Sequence, residues 1–220
     1  MIAMDFGAVL VDWPLLARGV AMTVGLTAVS ATLGLGLGIA AAWARVHGGA
    51  LLRSVAGLYI ELIRNTPFIV QLFFVFFGLP SLGVKLTPEI AAVIAMVINL
   101  GAYAAEIVRA GLLSTPRGQI EAARSLALTE AQVFTRVVLP PALARVWPAM
   151  TSQIVIVMLG SAVCGQIATQ ELSYYANLIH SRNFRAFEAT FIATGLYLLL
   201  AVALRQSLHW AGARLLTVRR

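Results

Sequence analysis

The 220 residues are 60% hydrophobic and only 11% charged, with a mean hydropathy of +0.88; a soluble domain of this size has no interior large enough to hide so much apolar surface. The formal net charge is +7, but fifteen of the sixteen basic residues are arginines grouped between the apolar runs. That distribution suits the loops of a membrane protein and excludes a basic face for nucleic acid.

No charge-rich stretch is long enough for a soluble appendage, so a single lipid-embedded, all-α domain is expected over residues 1–220. The lone cysteine, Cys164, lies in an apolar run and closes no disulfide within the chain. At the start of the chain, Asp5 and Asp12 precede the first long run and the basic start of a cleavable signal peptide is missing, so this stretch reads as mature sequence. Crossing ~30 Å of hydrocarbon takes about 20 helical residues. Five segments reach that length, at about 20–44, 58–79, 88–112, 150–172 and 188–208.

In the first span Ser30, Gly34, Gly38 and Ala42 recur every four residues, a face of small side chains for close helix contact. The second span is aromatic but interrupted by Glu61, Arg64, Asn65, Thr66 and Gln71. Polar groups are costly in lipid and tend to face a cavity or a partner helix, which makes them substrate-path candidates. Glu61 and Arg64 stand three apart and are expected to pair. Pro67 releases the carbonyl of Ile63, so a kink beside Asn65 and Thr66 offers backbone oxygens to a ligand ammonium; a packing kink with a self-satisfied ion pair is the alternative. The third span adds Asn99, Tyr103 and Glu106 to the path, with Arg109 positioned to pair with Glu106 and anchor the helix end.

Between the third and fourth spans, about residues 113–148, lies the one sizeable polar connection. Pro116 starts a short helix with Ile120, Ala123, Leu126 and Ala127 as its apolar stripe. Thr129 and Gln132 fit a capping box that opens a second short helix, expected to end at Pro140, Pro141 and Pro148. Two short helices lying along the membrane surface need something against their outer face, either a cytoplasmic partner or lipid headgroups. In the fourth span Gln153, Ser161, Gln166 and Glu171 are candidates. Ser161 is placed near the midplane facing a pocket, and Glu171 near the outer surface. His47, His180 and His209 share no metal-ligand spacing, and no nucleophile is paired with a base, so neither a metal nor a catalytic residue is expected.

Loop arginines set the orientation. Arg45, Arg53, Arg109, Arg117, Arg124, Arg136, Arg145, Arg205, Arg214, Arg219 and Arg220 mark one side, whereas Arg18, Lys85, Arg182 and Arg185 mark the other. The N-terminus is therefore expected outside, and the C-terminus and the polar connection in the cytoplasm.

The polar connection resembles the EAA loop of permease subunits of bacterial ATP-binding cassette importers. Glu121, Ala122 and Ala123 match its opening, and Leu139 and Pro140 match its close, with Val137 in the isoleucine place. Ala127 stands where that family has glycine, which implies a tighter or more helical link. RNTPFIVQLFFVFFGLP (64–80), GAYAAEIVRAGLLSTPRGQIEAA (101–123) and QEL (170–172) are similar to segments of the polar amino acid importers of the histidine, glutamine and arginine type. Where those proteins read K-x-T-S-L, this chain has Leu159, Gly160, Ser161, Ala162 and Val163. Either this chain or a homologous partner then holds the substrate.

The resemblance implies a type I importer permease in the bacterial inner membrane, working by alternating access. Its implied partners are a second permease, identical or homologous, two cytoplasmic ATPase subunits and a periplasmic or tethered amino acid binding protein, besides membrane lipid. Gly118, Gln119, Glu121, Ala122, Ala123, Ala127, Leu139 and Pro140 would meet the ATPases, with Glu121 as the anchoring anion. ATP and Mg would sit on those subunits, since no G-x-x-x-x-G-K-[ST] occurs here and the sole lysine, Lys85, lies in an outward loop. The rival readings are an ion-coupled secondary carrier of amino acids, which needs no docking loop, and a membrane enzyme or pore.

Overall fold

Hydrocarbon offers the backbone no hydrogen-bond partners, so apolar runs must satisfy their own amides and carbonyls by forming helices. In the computed structural model, which describes residues 4–215, all the regular structure is helical. Arg219 and Arg220, counted with the arginine-rich side, lie outside the described residues, as do the first three residues.

A short turn α1 (Gly7–Leu10) leads into α2 (Trp13–His47), with Pro14 in its first turn. Then come α3 (Ala50–Arg64) and α4 (Phe68–Ser81), which meet at 110°, and α5 (Pro88–Leu113). Helix α5 starts where Pro88 presets the backbone and the Thr87 hydroxyl accepts the Ile90 amide at 3.4 Å. The short α6 (Arg117–Ser125) is followed by α7 (Glu130–Ile167), α8 (Leu172–Asn183) and α9 (Ala186–Leu215). Helices α2, α5, α7 and α9 are each long and apolar enough to cross a membrane, and α3 with α4 passes the same test together as a bent pair, which makes up to five spans among the described residues.

Three expectations are corrected. The interval 58–79 is not one helix, because Pro67 ends α3 instead of merely bending it. Pro140, Pro141 and Pro148 do not stop the second short helix, which runs on from Glu130 into the fourth span. A wide π-type turn over Val133–Val138 directly precedes the proline pair and gives room to the carbonyls their rings would otherwise strike. The fourth span tightens into a 3₁₀ segment over Ser161–Ile167 and ends at Ala168, whose φ of +63° stops the helix. No element was expected where α8 folds back against α2.

The core is built on the α2–α5 contact. Ser30, Gly34, Gly38 and Ala42 are all buried along it. A Cβ on Gly38 would sit 2.5 Å from the Ala104 Cβ and 3.0 Å from the Ala105 amide nitrogen, so only glycine allows this approach. At the other end of α2, a Cβ on Gly19 would fall 2.7 Å from the Leu172 Cα, and the Thr23 hydroxyl accepts the Leu172 amide at 3.2 Å. Tyr59 ties α3 to α5 by donating to the Ile98 carbonyl at 2.7 Å. Trp147 ties α7 to α9 by donating to the Leu208 carbonyl at 2.8 Å.

Gly38→Leu is expected to push α2 off α5 at a cost of about 1–3 kcal/mol and lower the Tm of detergent-purified protein. Gly36→Leu, where an added Cβ meets nothing within 4 Å, should leave the Tm in place. Equal melting of the two variants would contradict the close contact.

Candidate functional site

The break in the second span is where the chain gives up regular backbone pairing, and its own side chains take over. Asn65 Nδ2 donates to the Glu61 carbonyl at 2.8 Å, and Thr66 Oγ1 to the Leu62 carbonyl at 2.8 Å. Gln71, nine-tenths buried in the first turns of α4, reaches back with Nε2 to the Ile63 carbonyl at 2.7 Å, the Thr66 carbonyl at 3.0 Å and Thr66 Oγ1 at 2.9 Å. Its Oε1 accepts from Asn99 Nδ2 of α5 at 2.9 Å. The carbonyls freed at the break are therefore filled from within the chain, which favours the packing kink of the two readings over carbonyls offered to a ligand ammonium.

Below the break a polar cavity of about 330 Å³ opens between α2, α3 and α5, lined by Arg45, Glu61, Arg64, Asn65, Tyr103 and Glu106. The expected Glu61–Arg64 pair does not form. The Arg64 guanidinium lies over the Tyr103 ring, 5.5 Å from its centroid, which satisfies the cation without the carboxylate. Glu106 is taken by Arg109, with Nη2 to Oε2 at 2.8 Å and Nε to Oε1 at 3.1 Å. Arg45, read from the sequence only as an orientation charge, proves to be part of this wall; one residue against a helix end gives no sign of it.

The fourth-span candidates lie elsewhere. Ser161 is fully buried and turns its hydroxyl back to the Met158 carbonyl at 2.6 Å. Gln153 is half-buried and Gln166 exposed, and neither lines a cavity at the break. Glu171, just past the end of the fourth span, is completely buried within the protein. It caps α8 through the Ser173 and Tyr174 amides at 2.9 and 2.8 Å and accepts the Tyr197 hydroxyl of α9. Burial pushes its carboxyl above the ordinary range, outweighing those three donors. Glu171 thus ties α8 to α9.

The other candidate region is the elbow formed by α6 and the start of α7. Ala123 is buried against the chain and Ile120 half-buried, whereas Gly118, Gln119, Glu121 and Ala122 point outward. Leu126, expected on the packed stripe, is 76% exposed; Leu128 packs in its place. Ala127 takes the left-handed conformation, φ +57°, that glycine would adopt at lower cost, so the link is a sharp turn and not a helical one.

The capping box closes, Thr129 N donating to Gln132 Oε1 at 2.9 Å and Gln132 N to Thr129 Oγ1 at 3.3 Å. Across the turn Arg124 grips Glu130 with two bonds, 2.8 and 3.1 Å, and that carboxylate holds the Arg124 guanidinium above its usual range. At the near end Arg145 donates to both the carbonyl and the hydroxyl of Ser114. Leu139 and Pro140 lie half-buried inside α7, behind the elbow's outer face.

A model of the family described as binding-protein-dependent transport system inner membrane component matches residues 34–215. The chain belongs to that family. It is 35% identical over 202 residues to the glutamine transport system permease protein GlnP of Escherichia coli K12, covering 91% of this chain and 92% of that protein. To the L-cystine transport system permease protein TcyB of Bacillus subtilis it is 38% identical over 171 residues, 78% and 73% of the two chains. Among solved structures, a chain of an amino acid ABC transporter crystallised with histidines superposes with a TM-score of 0.86 at 33% identity, covering 97% of this chain and all of that one. The methionine ABC transporter MetNI, in an inward-facing form, gives 0.73 at 26% identity, with 95% and 98% covered. The protein is the permease subunit of an amino acid ABC importer, a multi-pass membrane protein of the type I importer fold.

Gln71→Leu is expected to strand the Ile63 and Thr66 carbonyls and the Asn99 amide, destabilising the permease by about 1–3 kcal/mol and speeding hydrogen exchange of the amides flanking the break. Gln71→Glu, which keeps the acceptor for Asn99, should fall between. Wild-type exchange in Gln71→Leu would mean that the break is held without this side chain.

Proposed function

We propose that this permease turns the closure of two cytoplasmic ATPase subunits into alternating access, with the α6 elbow as the part they grip. The observation that carries this is the elbow's construction: an outer face left open, on a turn fixed by a left-handed Ala127, a capping box and the Arg124–Glu130 and Arg145–Ser114 ties. A force applied to Glu121 would reach α5 and α7 together, since α6 is joined to both, and rigid rotation of spans follows from such a connection. Glu121 supplies the anchoring anion toward an arginine or helix N-terminus of the ATPase. Gly118, Gln119 and Ala122 complete the face.

The arginine-rich ends support an orientation with the elbow and the C-terminus in the cytoplasm and the N-terminus outside, in a bacterial inner membrane. ATP and Mg belong to the ATPase subunits. A second permease, identical or homologous, completes the path, and a periplasmic or tethered binding protein delivers the substrate. The relatives named for glutamine and cystine support a polar amino acid as that substrate. Its passage runs by the polar cavity at the break, where Glu61, Arg64, Asn65, Tyr103 and Glu106 meet. Leu159 in place of the motif lysine fits either a substrate site in this chain's cavity or one held mainly by the partner permease.

Glu121→Lys should leave the permease inserted but abolish recovery of the ATPase with an affinity-tagged permease; undiminished recovery would reject the docking role. Asn65→Leu should cut uptake driven by the binding protein about tenfold while the ATPase still copurifies. Loss of assembly in that variant would make Asn65 a structural residue.

A further inference from the structure

The polar cavity at the break does not end there. A second space of about 620 Å³, toward the arginine-rich end, is lined by Arg45, Arg53, Ser54, Gly57, Glu61 and Arg109, with Arg45 and Glu61 common to both. Its floor is one face of α3, where Ser54, Gly57 and Glu61 follow at helical spacing. Position 57 has no side chain, and the Arg45 guanidinium occupies the room a Cβ there would need. The two spaces form one polar track along α3.

The charges along the track do not cancel. Arg45, Arg53, Arg64 and Arg109 face only Glu61 and Glu106. Arg109 holds Glu106 with both oxygens, Arg64 lies on Tyr103, and Arg53 reaches the Gly48 carbonyl at 3.4 Å. Among the described residues Arg45 and Glu61 form no ion pair, although Arg45 is half-buried. The carboxylate whose field Arg45 shares, Glu106, is already held by Arg109, and a half-buried guanidinium without a direct partner is costly to keep. A phosphate would suit Arg45 and Arg53 but would be repelled by Glu61. A zwitterion satisfies both.

We propose that Arg45 and Glu61 form a subsite for the main-chain groups of a free α-amino acid, Arg45 taking the α-carboxylate and Glu61 the α-ammonium. Resting on the reading of this chain as an amino acid permease with its arginine-rich end in the cytoplasm, the subsite lies on the release side of the span-2 break. It reads the part that every α-amino acid shares and leaves the side chain to the wide mouth beside Leu58 and Leu113. Internal amino acid bound there holds the release-side conformation and so opposes further uptake.

The test uses the nucleotide-free permease–ATPase complex in phosphatidylcholine nanodiscs without binding protein, with L-glutamine as probe in equilibrium binding. Wild type should bind L-glutamine at least about tenfold more tightly than L-glutaminamide or N-acetyl-L-glutamine, each lacking one charge. Arg45→Ala should remove the preference over the amide, Arg45→Lys should restore part of it, and Glu61→Gln should remove the preference over the N-acetyl form.

Equal wild-type affinity for the three compounds would overturn the subsite without any variant having to fold. So would L-glutamine binding that Arg45→Ala leaves unchanged. Phosphatidylglycerol nanodiscs in which the lipid displaces L-glutamine through Arg45 would assign the track to a lipid headgroup and overturn it as well. Wild-type ATP-driven amino acid uptake with any of these results sinks the subsite alone, whereas absence of such uptake in proteoliposomes carrying binding protein sinks the permease reading beneath it.

Discussion

A backbone carbonyl in hydrocarbon must find a donor inside the protein, and the shape of this permease follows from how each one does. Helices answer the requirement almost everywhere. At Pro67 they cannot, and the two amide hydrogens of Gln71 are shared among three acceptors at the broken end while Asn99 fixes Gln71 from the neighbouring span. Beside the resulting 110° bend lies a polar cavity walled by α2, α3 and α5.

The second requirement is close contact between spans, because lipid supplies no hydrophobic drive to press helices together. Small residues on α2 meet α5, and the same economy recurs where Gly19 admits α8. Helix α5 then connects two mechanically different regions. Its middle carries Asn99, Tyr103 and Glu106 around the break; its end leads directly into the elbow, with Ser114 held by Arg145 of α7. The Arg124–Glu130 pair is exposed and contributes little to stability, but it fixes the angle between α6 and α7 at the one turn where Ala127 adopts an unfavoured backbone conformation.

Much of this was legible because period and length are local properties. The apolar runs, the small-residue face of α2, the Thr129 capping box and the Glu106–Arg109 pair each need only a few neighbouring residues. What escaped the sequence depends on distant ones. Pro67 announces a break, but the side chains that fill it include Asn99, 28 residues beyond Gln71. Pro140 and Pro141 look like stops unless the wide turn before them is known. Counting residues along a span gives the depth of Glu171 but not its burial, which arises because α8 folds back over Gly19 and Thr23 and Tyr197 of α9 reaches it. Arg45 reads as a loop charge until α3 is laid beside it. Ala127 left a tighter and a more helical link both open; the left-handed backbone it adopts gives the tighter one, against its own preference for helix.

The elbow's contact with a separate ATP-hydrolysing subunit can be measured most directly by placing a thiol on it. Cys164 is buried and gives little background. In the assembled importer Glu121→Cys should react with a membrane-impermeant maleimide only in inside-out vesicles, and a short bifunctional reagent should join it to the ATPase and halt uptake. Labelling from the outside of intact cells, or crosslinks to nothing but lipid, would contradict a cytoplasmic handle.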